Sequence, residues 1–450
     1  MRSLVLCLLL ASCGRNKQSI SRYEAGDYAG AARAADEGLA SHPGDDGLWQ
    51  MRVRAALALG DGEGVATAYG GYRDHRDDED AALLRDLATA TLGQALASPS
   101  AKLKIIAIEA VAAAELHDLA DQVGERLGDD DDLVAATAAA AVLLAFEQAP
   151  KVASNMLDSE DPEARRIAVE GVGKKIGKLA RPDLVRLAGT DPDPRVRRAA
   201  IRWLGQLKDV ESVELLVRQL RHADDGVRAA AATALAQIGR GDLGKLGEQA
   251  VKDRSLGVRL AGLELVVAAN RTDLLLALAE DPQPIFAAEA ALAARRTDLA
   301  VKALERARGA EDWTLRSAAL NLAVRAYGDQ AGGFAKQLAA DPEPRVRVSA
   351  ARLIARGGDR AAANAILVES LAGPAALAAA TELAELGDPR GLAALSAAVR
   401  DLKRSAEDRV AATFAHRSAH RVTPGLVAVL ADRNGVVRVE AAAAIVALVR

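Results

Sequence analysis

The chain has 450 residues, half of them hydrophobic but only 3% aromatic, and its 58 basic and 62 acidic residues leave a formal net charge of −4. That length exceeds what one hydrophobic core usually serves, which excludes a single compact domain, and the near-balance of charge gives no global pull toward nucleic acid. Its two cysteines, Cys7 and Cys13, both precede residue 14, so the rest of the chain has no disulfide framework, zinc site or thiol nucleophile.

In chain order, Met1-Arg2-Ser3 supplies one positive charge, Leu4 to Leu10 form a short apolar run, and Leu10-Ala11-Ser12-Cys13 follows. This order is similar to a bacterial lipoprotein leader, in which an aliphatic residue and two small residues precede a modified cysteine. The resemblance implies that residues 1–12 are a signal peptide, that Cys13 carries lipid, and that residues 13–18 are a tether. Acyl chains would then hold the protein on a membrane surface, with more than one chain needed for stable anchoring. Gly14, in place of Asp, resembles lipoproteins sorted to an outer membrane and facing the periplasm. No later stretch approaches the ~20 apolar residues of a spanning helix.

Residues 19–80 read as a helical module. Gly26-Asp27 recurs as Gly60-Asp61, a period of 34. Tyr28 and Ala31 open a helix that Pro43 ends, and Trp49 falls in the next helix. The segment resembles one to one-and-a-half tetratricopeptide repeats. It departs from that pattern at Arg52, Val53 and Ala56. The charge run from Arg73 to Asp80 is a solvated connector, and residues 81–97 form a connecting helix.

From 98 to 450 an acidic turn followed by an apolar-plus-basic pair recurs, mostly every 30 to 33 residues. Its fullest copies are Asp191-Pro-Asp-Pro-Arg-Val-Arg-Arg-Ala-Ala200 and Asp341-Pro-Glu-Pro-Arg-Val-Arg-Val-Ser-Ala-Ala351. After the first, Val196, Ala199, Ala200, Trp203 or Leu204, and Leu207 share one helical face. Each unit fits two helices; Val210 to Leu220 is the second of that repeat. The array resembles the short HEAT-like repeats of phycobilin-lyase-type proteins. The resemblance implies an all-α, right-handed α-solenoid, a superhelix of helical hairpins. A dozen such units suggest a curved rod with a long concave wall.

Asp161, Asp193, Asp224 and Asp312 stand four residues before Arg165, Arg197, Arg228 and Arg316, and Arg347 and Arg438 occupy the same arginine position. An Asp at a helix start accepts backbone N–H bonds and suits the helix dipole. An Arg one turn later can bridge to that Asp and to the neighbouring turn, forming a ladder of exposed pairs that fixes register. The ladder position is Phe286 in one unit, and the units at Leu377 and Val410 lack the arginine, so Phe286 is a candidate partner contact. Trp313, in an inter-repeat turn, is a second, while Trp203 reads as packing. His416 and His420 lie four apart on a predicted helix but lack further ligands nearby, and Asp129–Asp132 lacks the alternation of a calcium loop. No metal site, catalytic residue or cofactor is assigned.

These readings point to a non-catalytic, lipid-anchored scaffold at the cell envelope that binds a protein partner on the concave face. Neither nucleic acid nor a small-molecule substrate is expected. Two alternatives stay open: an enzyme or enzyme subunit of the bilin-lyase type, and an envelope ligand- or peptidoglycan-binding module. A mixed-charge groove or an apolar one with exposed aromatics would separate them.

Overall fold

The structure, a computed structural model, describes residues 16–76 and 78–449. The leader and Cys13 lie outside the described residues. Every regular element among those residues is helical. The described chain forms two compact units: one holds the residues up to Gln122 together with those from Ala376 onward, the other runs Val123–Ala375.

The first unit opens with helices Lys17–Glu24, Tyr28–Ser41, Asp46–Ala58, Gly62–Asp74 and Ala81–Leu96. Gly26 (φ +81°) and Gly60 (φ +68°) adopt the left-handed backbone that favours glycine. The next residue caps each following helix: Asp27 accepts from the Gly30 N–H at 2.8 Å, and Asp61 from the Gly64 N–H at 2.9 Å. The recurrence at 34 residues is therefore a repeated turn-and-cap. Leu48, Met51, Val53, Tyr69 and Tyr72 form the buried interior of these hairpins. The Tyr72 hydroxyl donates to Asp80 at 2.7 Å, so the expected solvated connector is tied down at its end.

In the same unit the last helix, Gly435–Leu448, packs against Ala81–Leu96 and Ala101–Ala114, and the short helix Pro424–Ala428 packs against Gly62–Asp74. Val437, Val439, Ile445 and Val446 are all buried by this arrangement. The final repeat is thus covered by early helices of the same unit. The reason is apolarity: a helix buried on nearly every side needs neighbours on both flanks.

The second unit is regular. Its signature helices are Asp132–Val142, Pro162–Lys175, Pro194–Gln206, Asp225–Ile238, Leu256–Ala268, Pro284–Ala293, Trp313–Tyr327 and Pro344–Arg356. Each is followed by a second helix, such as Arg181–Thr190 or Leu243–Ala250, shorter than the first in every case but Thr297–Arg308. Neighbouring signature helices from 132 to 268 pack directly on one another, whereas the second helices from 181 to 278 pack mainly on the signature helix that follows them, as Leu243–Ala250 does on Leu256–Ala268. Close approach depends on small side chains: a Cβ on Gly205 would lie 2.7 Å from the Ala234 Cα. Val196, Ala199, Ala200 and Leu204 are buried as expected, and Leu207 is half-buried at the helix end. The predicted second helix is a tight turn, Val210–Ser212, continuing as helix Val213–Gln219.

Candidate interaction groove and inter-repeat ladder

The inter-repeat turn repeats one device. Its first residue accepts the N–H of the residue two positions on: Asp193 donates to Asp191 at 2.8 Å, Ser255 to Asp253 at 2.8 Å, Glu343 to Asp341 at 2.9 Å and Asn434 to Asp432 at 2.8 Å. These are Asx turns, in which a carboxylate mimics a backbone carbonyl. The donor residue then stands at the N-cap. Asp161, Asp193, Asp224 and Asp312 all cap their helices, accepting from the N–H groups of Glu163, Arg195, Val227 and Thr314.

That capping role changes the ladder. The arginine does not bridge to the Asp four residues before it but reaches the first Asp of the following turn. Arg165 holds Asp191 through two hydrogen bonds of 2.8 and 3.0 Å, Arg228 holds Asp253 through two of 2.8 Å, and Arg316 holds Asp341 through bonds of 2.6 and 2.8 Å. Arg259 pairs with Asp281 and Arg409 with Asp432. A remaining amino group of the guanidinium binds carbonyls of its own turn, as Arg316 Nη1 does with Ala310 and Glu311, each at 2.8 Å. Arg197, Arg347 and Arg438 instead bind the backbone carbonyl of Asp191, Asp341 and Asp432.

Nor are the pairs exposed. Side-chain exposure is 11% for Arg165 and 2% for Asp191, with the same values at Arg316 and Asp341. The Arg228 hydrogen bonds hold the Asp253 carboxyl below the ordinary carboxylate range. Burial alone would raise Asp341, but the bonds from Arg316 and the Glu343 N–H keep it lowered. Buried pairs are costly to break from one side, because the surviving charge is left desolvated.

Arginine and acceptor keep company along the chain. Arg165, Arg228, Arg259, Arg316 and Arg409 are each followed by the turn Asp that they bind. Phe286 is followed instead by Ala310, and Ala135 by Ser159. Arg409 is the arginine that sequence alignment missed, since aligning on Val410-Ala411 displaced the repeat by two positions. The signal was the spacing to Asp432 rather than the apolar-plus-basic pair.

Phe286 is fully buried, clustered with Val251, Leu263, Val266 and Leu275 and covered by the Arg259 guanidinium 4.1 Å from its ring centroid. It fills the ladder position as core, which corrects its candidacy as a partner contact. Trp313 begins helix Trp313–Tyr327, half-buried, with Arg345 of the next repeat 5.4 Å above its ring. The Trp203 ring packs over Gly173 and its Nε1 donates to Glu170 at 2.8 Å. His416 is fully buried, its ring nitrogens bonded to the Ala412 carbonyl at 2.7 Å and the Thr423 hydroxyl at 2.8 Å. His420 lies beyond the helix end at Ser418 with φ +52°, so the two histidines do not share the predicted helical face. Asp131 caps helix Asp132–Val142, and Asp132 accepts from the Ser159 hydroxyl at 2.5 Å.

Five signature helices of the second unit, from 162 to 293, line an open groove of about 1090 Å³. One side is basic: Arg166 and Arg202 both reach Glu170, while Arg195 pairs with Asp193 at 2.9 Å. Arg198 has no carboxylate partner among the described residues. Its guanidinium lies across Gly226, where an added Cβ would meet Nη1 at 2.4 Å. The floor is Ala229, Ala230 and Thr233, and the far side carries Leu260, Glu264 and Val267, the last 45% exposed. No aromatic residue is among the lining. In the first unit a groove of about 760 Å³ is lined by Glu109, Glu440, Phe414 and Arg417; burial, and then Glu109, push the Glu440 carboxyl up.

Residues 149–236 match a family model described as HEAT repeats. No curated protein matches the chain. Among solved structures, a similar one is an engineered protein (17% identity, covering 80% of this chain and 98% of that one, TM-score 0.25). Another is the UNC-45 chaperone, described as binding and folding muscle myosin (13% identity, 96% and 71% covered, TM-score 0.34). A third is importin beta (14% identity, 92% and 60% covered, TM-score 0.29). On its all-helical repeats and the matched segment, the chain is an α-solenoid of HEAT-like helical hairpins.

Proposed function

We propose that the protein is a non-catalytic scaffold that binds a segment of a partner protein in the groove of its second unit. The observation that carries this reading is the groove itself: successive signature helices present unpaired and weakly paired charge beside an uncharged floor, in a fold whose repeats stack to create extended binding surfaces. The mixed-charge lining, without a ring on which a sugar would stack, favours a polypeptide over a glycan. The lipoprotein-like leader adds the second half of the reading, an acyl anchor at Cys13 that holds the scaffold on the envelope surface.

Both halves have direct tests. A photo-crosslinking residue at Thr233, on the groove floor, is expected to trap one protein stoichiometrically in the native envelope. The same residue at exposed Lys302, on helix Thr297–Arg308 of another repeat, should not. Equal or absent adducts at both positions would sink the binding reading. Metabolic labelling with a lipid precursor is expected to mark the wild type and not Cys13→Ala; an unlabelled wild type would remove the anchor.

A further inference from the structure

The groove is asymmetric, and the asymmetry specifies an occupant. Arg195, Arg198 and Arg202 are spaced three and four apart on helix Pro194–Gln206, so they form one row along one wall. Arg195 and Arg202 each have a carboxylate within the protein, Asp193 and Glu170. Arg198, between them, has none among the described residues. On the opposite wall Leu260, Glu264 and Val267 repeat at the same spacing on helix Leu256–Ala268, and Val267 is an exposed large hydrophobic. Between the walls lies helix Asp225–Ile238, which offers Ala229, Ala230 and Thr233.

The dimensions fit one further helix. Adjacent packed helices lie ~8–10 Å apart, so the two wall helices stand roughly 16–20 Å apart across the floor helix. An α-helix is about 10 Å across and advances 5.4 Å per turn, so two to three turns occupy roughly 850–1,300 Å³. The groove measures about 1090 Å³. A floor of small side chains lets the incoming backbone approach closely.

Resting on the scaffold reading above, we propose that the groove receives an amphipathic helix of a partner protein whose one face is acidic and whose opposite face is apolar. Its carboxylates meet Arg198 and displace the weaker intramolecular partner of exposed Arg195. Its apolar face covers Leu260 and Val267. A basic helix is rejected by the arginine row, and a nucleic acid finds no continuation of positive charge on the Glu264 wall.

The test uses the full chain and three labelled probes in fluorescence anisotropy: a peptide of about 15 residues, four helical turns, with Glu on one face and Leu on the other; its Lys/Leu counterpart; and a single-stranded oligonucleotide. The Glu/Leu peptide is expected to bind at least ~tenfold more tightly than either alternative, and to weaken as salt rises. Arg198→Glu should lower its affinity by ~tenfold or more, and a peptide carrying Lys at the facing positions should recover binding to that variant. Val267→Asp should weaken the Glu/Leu peptide without shifting the melting temperature, since the side chain is exposed. Equal binding of the Lys/Leu peptide, preferential binding of the oligonucleotide, or indifference to Arg198→Glu would overturn the proposal. Adducts at Thr233 with a native partner, alongside no preference for the acidic peptide, would overturn this inference and leave the scaffold standing. Absence of both would remove the two together.

Discussion

The two compact units hold themselves together by different logic. In the second, spatial neighbours are chain neighbours: each repeat buries its face against the next, and an arginine reaches an aspartate 22 to 26 residues ahead. Such a unit is close to one-dimensional, with stability summed from local interfaces. In the first, helices near residue 90 and residue 440 share one core, and Gly435 sits beneath the Leu103 side chain. That unit must bring together distant stretches before any of their contacts form, so its cohesion depends on loop closure and on all its parts at once. Local redundancy protects one unit, while the other stands or falls as a whole.

Deleting residues 435–450 should give the largest effect. The loss uncovers the faces of helices Ala81–Leu96 and Ala101–Ala114 and removes buried Val437, Val439, Ile445 and Val446, together worth roughly 6 kcal/mol or more. Hydrogen exchange should show protection lost across 81–114 and kept across 194–268; uniform loss in both units would break the contrast drawn above. Next is Phe286→Ala, which empties a fully buried site and should cost about 3–5 kcal/mol, read as an early loss of protection confined to the neighbouring repeats.

Arg316→Ala is expected to cost about 3 kcal/mol by stranding Asp341, whose side chain is 2% exposed, whereas Arg316→Met combined with Asp341→Asn should recover most of that loss. Chemical denaturation of the single and double variants separates a register device from a plain stabiliser. The smallest effect is the response to pH. Burial lowers the pKa of His416, so protonation favours the unfolded chain, and its contribution is present above about pH 6.5 and fades as pH falls below it. Asp253 and Asp341 are lowered carboxylates, so the ladder's contribution is present above about pH 4 and is lost only as pH falls through their folded values. Mild acid should therefore loosen the first unit before the second, and His416→Leu should flatten that difference.

The architecture was legible because its signals are local. Period, turn, cap and core face each sit within a dozen residues, as at Asp193 through Leu204. The ladder was half legible: the arginines were visible, but Asp193, four residues before Arg197, drew attention from Asp191, although Asp193 is already engaged by the N–H and guanidinium of Arg195. Phe286 was misjudged because a vacated ladder position looks like a gap in sequence and is a filled core in space. The covering of the last repeat was hardest, since residues hundreds of positions apart leave no common pattern. One clue was there: a terminal repeat of a free array carries a polar outer face, and Val437 through Val446 offers almost none. The groove's asymmetry was hidden because it is written across three repeats rather than along one.

The turn aspartate belongs to one repeat and serves the arginine of the repeat before it, and this constrains how such a gene can grow. A tandem copy of residues 191–221 would place a new Asp191 after Arg197, supplying a carboxylate where His222 now stands, and no buried charge would be orphaned. A tandem copy of residues 222–252 would place His222 after Arg228, leaving a buried guanidinium without the carboxylate it holds at Asp253. Two segments of equal length and similar appearance thus differ in whether duplication is tolerated, and the Arg–Asp phase marks the seams at which repeats can be inserted or excised.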